Sequence, residues 1–214
     1  GGVIPLDNAP AGATGVLIEG GNTADIEITG SIALLDDILT ETDTDTDNDG
    51  DMDGPFANGS NRYGIRLTGA APLTGNIVVN SGAQIAVDGN DSYGILLESA
   101  LDGTLDMFGV VKVVGDDTYG VRVIGDVTGD IRTGGEISAR GPGATGFAVE
   151  GDVDGAMVIH SNISASGYRY TTRPAERPDG FEETADNDKG ILFLDELDPD
   201  DLMQGGPALS IQGN

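Results

Sequence analysis

Short runs in which apolar and polar positions alternate recur along the chain and predict β-strands with one buried face. From Tyr119 to Gly146 the runs VRV, DIRT and EISA are separated by glycine-rich corners, and the pattern begins again at TGFAVEG. Gly94, Gly120 and Gly146 open successive repeats and lie 26 residues apart. Because a fixed period of this size is typical of repeat architectures, we expect a solenoid.

The predicted fold is all-β: a right-handed parallel β-helix with three short strands in each coil of about 26 residues. The coils begin at about residue 14, and each coil buries its apolar face against its neighbours. The whole chain, 1–214, is interpreted as a single solenoid segment of a longer protein. The positions predicted to line the core, coil by coil, are Val16, Ile18, Ile26, Ile28, Ile32 and Leu34; Ile65, Leu67, Ile77, Val79, Ile85 and Val87; Ile95, Leu97, Leu105, Met107, Val111 and Val113; Val121, Val123, Ile131, Ile137 and Ala139; Phe147, Val149, Met157, Ile159, Ile163 and Ala165; and Leu209 and Ile211.

Two insertions interrupt the period, at 36–62 and at 168–206. Each follows the third strand of one coil and precedes the first strand of the next. We therefore expect both insertions to leave the rod at the same corner. Together they carry about half of the 37 acidic residues, so acidic charge is concentrated in the insertions.

The first insertion is predicted to bind calcium. Carboxylates alternate along ETDTDTDNDGDMDG, and Gly50 stands where a calcium loop must turn sharply. The run resembles the short calcium loops of thrombospondin type 3 repeats and dockerins, but Phe56 stands where an EF-hand has its bidentate glutamate. A solvated acidic loop that binds cations loosely is the alternative. The candidate ligands of a structural Ca²⁺ ion are Asp45, Asp47, Asp49, Asp51 and Asp53.

The second insertion is predicted to form a hairpin-like arm, because YRYT alternates and GILFL is apolar. Its aromatic residues either fold the arm onto the coils or form a surface for a partner. These aromatic residues are Tyr168, Tyr170, Phe181 and Phe193. A weaker candidate for a second cation site consists of Glu183, Asp186 and Asp188.

Composition and charge narrow the function. Glycine accounts for 35 of 214 residues and aromatic residues for only 5%, so the core must be thin and aliphatic. The formal net charge of −27 excludes nucleic acid and disfavours anionic membranes, because phosphate binding requires clustered Lys and Arg. It favours divalent cations and basic partners. The sequence contains no cysteine, no run long enough for a membrane helix and no recognisable signal peptide.

No catalytic residue is predicted, and we expect that the chain is not an enzyme. His160 is the only histidine and lacks the acid and nucleophile partners of a triad. The outward mid-strand positions are Arg66, Leu96 and Arg122 on one face and Ala86, Lys112 and Ser138 on another. Neither column concentrates acids and bases, so catalysis on the rod is disfavoured.

Repeats of the type G-[VIF]-x-[VIL]-x-G … TG-[ND]-I include the segments YGIRLTG, YGVRVIG and TGFAVEG, and YGILLES is a related segment. With the acidic insertions and the segments YRYTTRP and LMQGGPALSIQGN, it resembles the passenger domains of bacterial autotransporters, especially the Gly- and Asp-rich passengers of alphaproteobacteria. The resemblance covers nearly the whole chain. It implies export and display at the outer-membrane surface by a C-terminal barrel, which these 214 residues do not contain. Members of that family are adhesins, self-associating surface proteins or, less often, enzymes.

The sequence is therefore interpreted as an extracellular, cell-surface structural or adhesive repeat domain. The expected partners are a surface protein, a glycan or a second copy of the chain. Calcium would rigidify the first insertion by neutralising its carboxylates. Two alternatives stay open: a self-assembling subunit of an extracellular filament, and a β-helix polysaccharide lyase or hydrolase.

Overall fold

The regular structure of the chain is almost entirely parallel β-sheet. Successive strands enter three sheets in rotation, so each circuit of the chain adds one strand to every sheet. This arrangement is a parallel β-solenoid, and the predicted all-β fold is confirmed. The computed structural model describes residues 3–7, 9–36, 57–167, 175–181, 193–196 and 205–213.

The strands are grouped here by sheet, in spatial order. The first sheet contains β2 (Thr14–Glu19), β5 (Tyr63–Thr68), β9 (Tyr93–Leu97), β13 (Tyr119–Val123), β16 (Thr145–Val149) and β19 (Leu209–Ile211). The second contains β3 (Ile26–Ile28), β7 (Ile77–Val79), β11 (Leu105–Met107), β14 (Ile131–Thr133) and β17 (Met157–Ile159). The third contains β1 (Val3–Asp7), β4 (Ser31–Leu35), β8 (Gln84–Asp88), β12 (Val110–Val114), β15 (Glu136–Arg140) and β18 (Asn162–Ser166). The short strands β6 (Leu73–Thr74) and β10 (Leu101–Asp102) pair at a corner, and Leu194–Glu196 forms a 3-10 turn. No helix within these described ranges is long and apolar enough to cross a membrane.

Aliphatic side chains from successive coils stack in register, as the sequence predicts. Ile65, Ile95 and Val121 stand at equivalent positions of neighbouring strands and are 0% exposed. The same column continues through Phe147 to Leu209, where exposure rises to 36% because no described strand lies beyond β19. Among the described residues, the core is thus a continuous apolar column that becomes exposed towards its two ends.

The structure adds core positions that the sequence analysis did not identify. Leu73, Leu101 and Val127 form a fourth inward column at the corner between the first and second sheets. They are almost fully buried although they lie in segments that read as glycine-rich turns. Strand β1, which pairs with β4, was also missed, so the described solenoid begins before the first predicted coil.

The repeating glycine of each coil is required by close packing. A Cβ atom on Gly120 would lie 2.5 Å from the carbonyl oxygen of Gly146 and 2.6 Å from Cγ2 of Ile137. Gly64 and Gly94 face the same two obstacles, the backbone of the next coil and a branched side chain of the third sheet. Only glycine lets the first sheet bend this close to the third.

The corner between the third and first sheets repeats one backbone conformation. Asn61, Asp91 and Asp117 have φ values of 56°, 49° and 52° in successive coils. Asn and Asp tolerate this left-handed region better than other side-chain-bearing residues. Both interruptions of the repeat fall at this same corner, one between β4 and β5 and one between β18 and β19. Four coils, joined at this corner by three short connections, separate them.

Candidate functional site

Three tyrosines form a ladder on the outer face of the first sheet. Tyr63, Tyr93 and Tyr119 occupy equivalent positions of β5, β9 and β13. Their ring centroids are 5.4 and 5.5 Å apart, and the ring planes are inclined by only 1° and 11°. The rings have the spacing of neighbouring strands, because each tyrosine points outward immediately before the repeating glycine of its coil.

Two arginines lie beside the ladder and form ion pairs with the next coil. Arg66 donates through Nε and Nη2 to Glu98 at 2.7 and 3.0 Å, and its Cζ lies 4.3 Å from the Tyr63 ring centroid. Arg122 repeats the arrangement, donating to Glu150 at 2.8 and 3.2 Å. Bidentate hydrogen bonds from a guanidinium to a carboxylate hold both side chains in one geometry.

The ion pairs hold the charges of this face in place. The bidentate hydrogen bond from Arg66 keeps the pKa of Glu98 below its usual range, and the same bond raises the pKa of the Arg66 guanidinium. The hydrogen bond that Arg122 donates to Glu150 likewise raises the pKa of Arg122. Leu96 points outward between the two arginines, yet it is only 3% exposed. A second, thin layer of side chains therefore covers the outside of the first sheet.

We call this layer the tyrosine–arginine face. It consists of Tyr63, Tyr93, Tyr119, Arg66, Arg122, Leu96, Glu98 and Glu150. Arg66, Leu96 and Arg122 lie in one outward column, as the sequence predicts. The acidic partners of the two arginines were not predicted. Each glutamate lies two positions beyond the strand residue opposite its arginine, as Glu98 does relative to Leu96. This offset of two positions, combined with the coil register, could have identified the glutamate partners from the sequence.

A second polar cluster closes the base of the first insertion. The Asp36 carboxylate accepts hydrogen bonds from the backbone N–H groups of Asn58 and Gly59 at 2.7 and 3.0 Å, and it pairs with the Arg62 guanidinium. Arg62 also donates to the carbonyl oxygens of Ala9 and Asp88. Its side chain is 4% exposed and that of Asp36 is 8% exposed. We call this cluster the Asp36 clamp, because one buried carboxylate joins the two ends of the insertion.

Burial around the Asp36 clamp disfavours the charged forms of its ionisable side chains. Burial raises the pKa of Asp88, whose carboxylate accepts a hydrogen bond from the backbone N–H of Asp36. Burial also lowers the pKa of the neighbouring Arg140. Among the described residues, the Nε atoms of Arg62 and Arg140 are buried without a hydrogen-bond acceptor. The cluster therefore holds the two ends of the insertion in one geometry, although its charged groups are removed from water.

The described parts of the second insertion form a small contact set. Phe181 and Phe193 meet edge to face with centroids 5.0 Å apart, and Phe193 is 6% exposed. Arg177 lies over the Phe193 ring and donates to Asp195 at 2.8 Å. Phe193 is thus buried, Phe181 is half-buried, and Tyr168 and Tyr170 lie outside the described residues.

The predicted calcium ligands Asp45, Asp47, Asp49, Asp51 and Asp53 all lie outside the described residues, as do Glu183, Asp186 and Asp188 of the second candidate. Within the described part of the chain, no group of three or more His, Asp or Glu side chains is arranged to hold a metal ion. His160 directly follows β17 and is exposed.

The second sheet carries one similar ion pair. Arg132 donates to Asp106 of the preceding coil at 2.7 and 2.8 Å, and Asp106 is 9% exposed. Arginine–carboxylate pairs between neighbouring coils are therefore a recurring device on two faces of the solenoid.

No protein-family model, no curated protein and no solved structure matches this sequence. The geometry of the chain is that of a parallel β-solenoid with an ordered tyrosine–arginine face and an insertion whose two ends are joined by the Asp36 clamp.

Proposed function

We propose that this chain is a rigid structural or adhesive segment of an exported, autotransporter-like surface protein. The observation that supports this most is the continuous core, which runs through all coils from Ile18 to Val149. A solenoid of this kind acts as a stiff spacer, because each coil contacts only its neighbours and the side walls remain available for binding.

The side walls favour binding over catalysis. The acidic groups of the tyrosine–arginine face, Glu98 and Glu150, are held by arginines in bidentate contacts. A general acid or base must exchange a proton with substrate, and a carboxylate locked as an ion-pair partner is poorly suited to that role. Asp106 on the second sheet is held in the same way.

The tyrosine–arginine face is the contact surface we propose within the described residues. Partly exposed tyrosines combine apolar area with a hydroxyl group at low entropic cost, which is why tyrosine and arginine are enriched at protein–protein contacts. The face also adjoins the corner from which both acidic insertions leave. A surface protein or a glycan lying against this wall would meet rings and guanidinium groups together.

Binding of the 214-residue chain to immobilised glycans and extracellular-matrix proteins tests this proposal. Tyr93→Ser removes the central ring of the ladder and should weaken binding, whereas Lys112→Ser, on the outer face of the third sheet, should leave binding unchanged. Equal effects of the two substitutions would remove the tyrosine–arginine face as the contact surface. Shortening of a glycan by the chain would overturn the non-catalytic assignment and favour the lyase or hydrolase alternative.

We further propose that a structural Ca²⁺ ion binds the first insertion through Asp45, Asp47, Asp49, Asp51 and Asp53. The alternate carboxylates support this, since hard oxygen ligands suit calcium. The Asp36 clamp also holds the two ends of the insertion together and so reduces the entropy lost on binding.

Thermal unfolding in calcium and in EGTA checks this proposal. Calcium should raise the unfolding temperature of the native chain, and Asp47→Asn with Asp49→Asn should abolish that rise. Asp152→Asn with Asp154→Asn, two exposed carboxylates outside the insertion, is the matched control. An equal calcium effect in both double variants would mean only general screening of the negative charge.

A further inference from the structure

The tyrosine–arginine face lies in the middle of the described solenoid. Its strands β5, β9 and β13 each have a hydrogen-bonded strand of the chain on both sides, so the exposure of the face does not depend on where the sequence begins or ends. Thr14 and Thr145 hold the tyrosine position in the coils before and after the ladder. Because threonine is much shorter than tyrosine, the three rings form a ridge that runs along the rod axis and ends after three coils.

The ridge presents hydroxyl groups at a regular interval. The ring planes are nearly parallel and their centroids are 5.4 and 5.5 Å apart, so equivalent ring atoms repeat at about that interval. Much of the flat faces is covered, because each ring stacks on the next and a guanidinium group lies over each outer ring. Cζ of Arg66 is 4.3 Å from the centroid of the Tyr63 ring. Cζ of Arg122 is 4.7 Å from that of Tyr119. A ligand would therefore meet ring edges and hydroxyl groups rather than open aromatic faces.

Hydrogen-bonding groups of the face remain available to a ligand. Within the described part of the chain, the hydroxyl groups of Tyr63 and Tyr119 have no hydrogen-bond partner. The hydroxyl group of Tyr93 has one long contact, 3.5 Å from Nη1 of Arg122. Arg66 uses Nε and Nη2 in its ion pair, so its Nη1 group stays outside that pair. A ligand with repeating hydroxyl groups would satisfy these donors and acceptors.

The charges of the face balance, although the whole chain is strongly acidic. Arg66 and Arg122 are each paired with a glutamate, whereas the formal net charge of the chain is −27. An anionic ligand would be repelled by the chain and would find both guanidinium groups already bound to carboxylates. A cationic ligand would likewise find Glu98 and Glu150 already paired. A neutral ligand meets neither obstacle.

The face is too small for a globular partner. Its four strands, about 4.8 Å apart, and the five residues of β9, about 3.3 Å each, give an area on the order of 300 Å². A stable protein–protein interface buries about 800 Å² on each side. A polyproline peptide rises about 3.1 Å per residue and packs its rings on open aromatic faces, so it matches neither the interval of the ladder nor its covered rings. A thin, extended ligand with hydroxyl groups fits the face better.

We infer that the tyrosine–arginine face binds a neutral, extended glycan of β-1,4-linked pyranose units, which lies along the rod axis. Equatorial linkages keep such a chain straight, so its hydroxyl groups recur at an interval close to that of the ladder, one unit for each coil. Successive units are turned by half a turn, so the same edge of the chain recurs at every second unit. Arg66 and Arg122 also recur at every second coil, with Leu96 between them. The inference rests on the binding role proposed above for this face and names the class of ligand.

Ligand-observed NMR titration of the 214-residue chain with cellotetraose and maltotetraose tests the inference. Both ligands are neutral tetramers of glucose, but the β-linked tetramer is extended and the α-linked tetramer is curved. Cellotetraose should bind at least about tenfold more tightly, because the curved chain cannot keep its hydroxyl groups in register with the ladder. A tetramer of β-1,4-linked mannuronate, which is extended but acidic, should not bind. Absence of cellotetraose binding, equal binding of the two glucose tetramers, or tighter binding of the acidic tetramer would overturn the inference.

Removal of single hydroxyl groups locates the site. Tyr119→Phe keeps the ring in the stack and removes its hydroxyl group, so the affinity for cellotetraose should fall by about threefold to tenfold. Ser138→Ala removes an outward hydroxyl group from β15 of the third sheet and, as the matched control, should leave the affinity unchanged. Equal affinities of the two variants would exclude the ladder as the site. Binding of an extracellular-matrix protein without binding of cellotetraose would overturn this inference and leave the proposed function standing, whereas binding of no matrix protein and no glycan would remove both.

Discussion

At the scale of single residues, the packing glycine of each coil sets a tight steric constraint in the solenoid. Gly120→Ala should lower the free energy of unfolding by about 1–3 kcal/mol, because the added methyl group meets the backbone of Gly146 and the side chain of Ile137. Gly82→Ala is the matched control. A Cβ at that turn position has no neighbour within 4 Å, so the substitution should be neutral or stabilising by about 0.4–1 kcal/mol. Urea unfolding measures both, and equal midpoints for the two variants would contradict the steric explanation.

Two carboxylates whose pKa values shift in opposite directions predict opposite responses to acid. Glu98 has a lowered native pKa because Arg66 binds its charged form. Its stabilising contribution is present above its ordinary pKa of about 4 and is lost as the pH falls through the lower native value. Glu98→Gln should therefore reduce stability at pH 7, and the difference from the native chain should shrink in acid.

Asp88 gives the reverse sign, since burial raises its native pKa. Its ionised form is disfavoured in the folded state, so protonation stabilises the native chain as the pH falls through the raised pKa towards about 4. Compared with Asp88→Asn, the native chain should gain free energy of unfolding over that interval. Urea unfolding between pH 3 and pH 7 measures both variants. Parallel pH profiles for Glu98→Gln and Asp88→Asn would show that the two sites do not differ in this way.

Residue-level roles were only partly accessible from sequence. The core columns follow from period-two alternation, so Ile65, Ile95 and Val121 were placed correctly. The need for glycine at Gly120 depends on how closely two sheets approach, which alternation does not encode. The Asp36 clamp joins residues on both sides of an insertion, and no local pattern links them.

At the scale of strands, ion pairs between coils lock neighbouring turns of the first sheet together. The Arg122–Glu150 pair is bidentate and its side chains are 25% and 27% exposed, while Lys112 and Glu136 meet at 3.5 Å with 57% and 46% exposure. A double-mutant cycle to alanine should give a coupling free energy of about 1 kcal/mol for the first pair and below about 0.5 kcal/mol for the second. Urea unfolding at low salt measures both cycles. A larger coupling for Lys112–Glu136 would mean that geometry and burial do not decide the strength of these pairs.

The strands that sequence reasoning missed share a physical cause. Strand β1 lies before the first recognisable repeat, so no preceding coil reveals its period. The corner column through Leu101 and Val127 contributes one buried residue per coil. One apolar residue between glycines has no alternation to detect, and only the stacking of coils shows that it belongs to the core.

At the scale of the whole molecule, stability follows from contact between adjacent coils. Within the described ranges, every interior coil has a neighbour on both sides, while the first and last coils have a described neighbour on one side only. In a one-dimensional array of this kind, the free energy of each coil is the sum of its own term and its interface terms. The centre of the rod should therefore be the last part to open, and the ends should fray first.

The same substitution at the centre and at the end tests this gradient. Ile95→Ala removes a side chain that is 0% exposed between β5 and β13, and it should lower the free energy of unfolding by about 2–5 kcal/mol. Ile211→Ala removes the same atoms from a position that is 54% exposed on β19, and it should cost no more than about 1 kcal/mol. Amide hydrogen exchange at a protein concentration where the chain is monomeric should show slow exchange in β9 and β13 and fast exchange in β19. Equal costs for the two substitutions, together with uniform protection, would mean that the solenoid unfolds as one cooperative unit in which position along the rod has no effect.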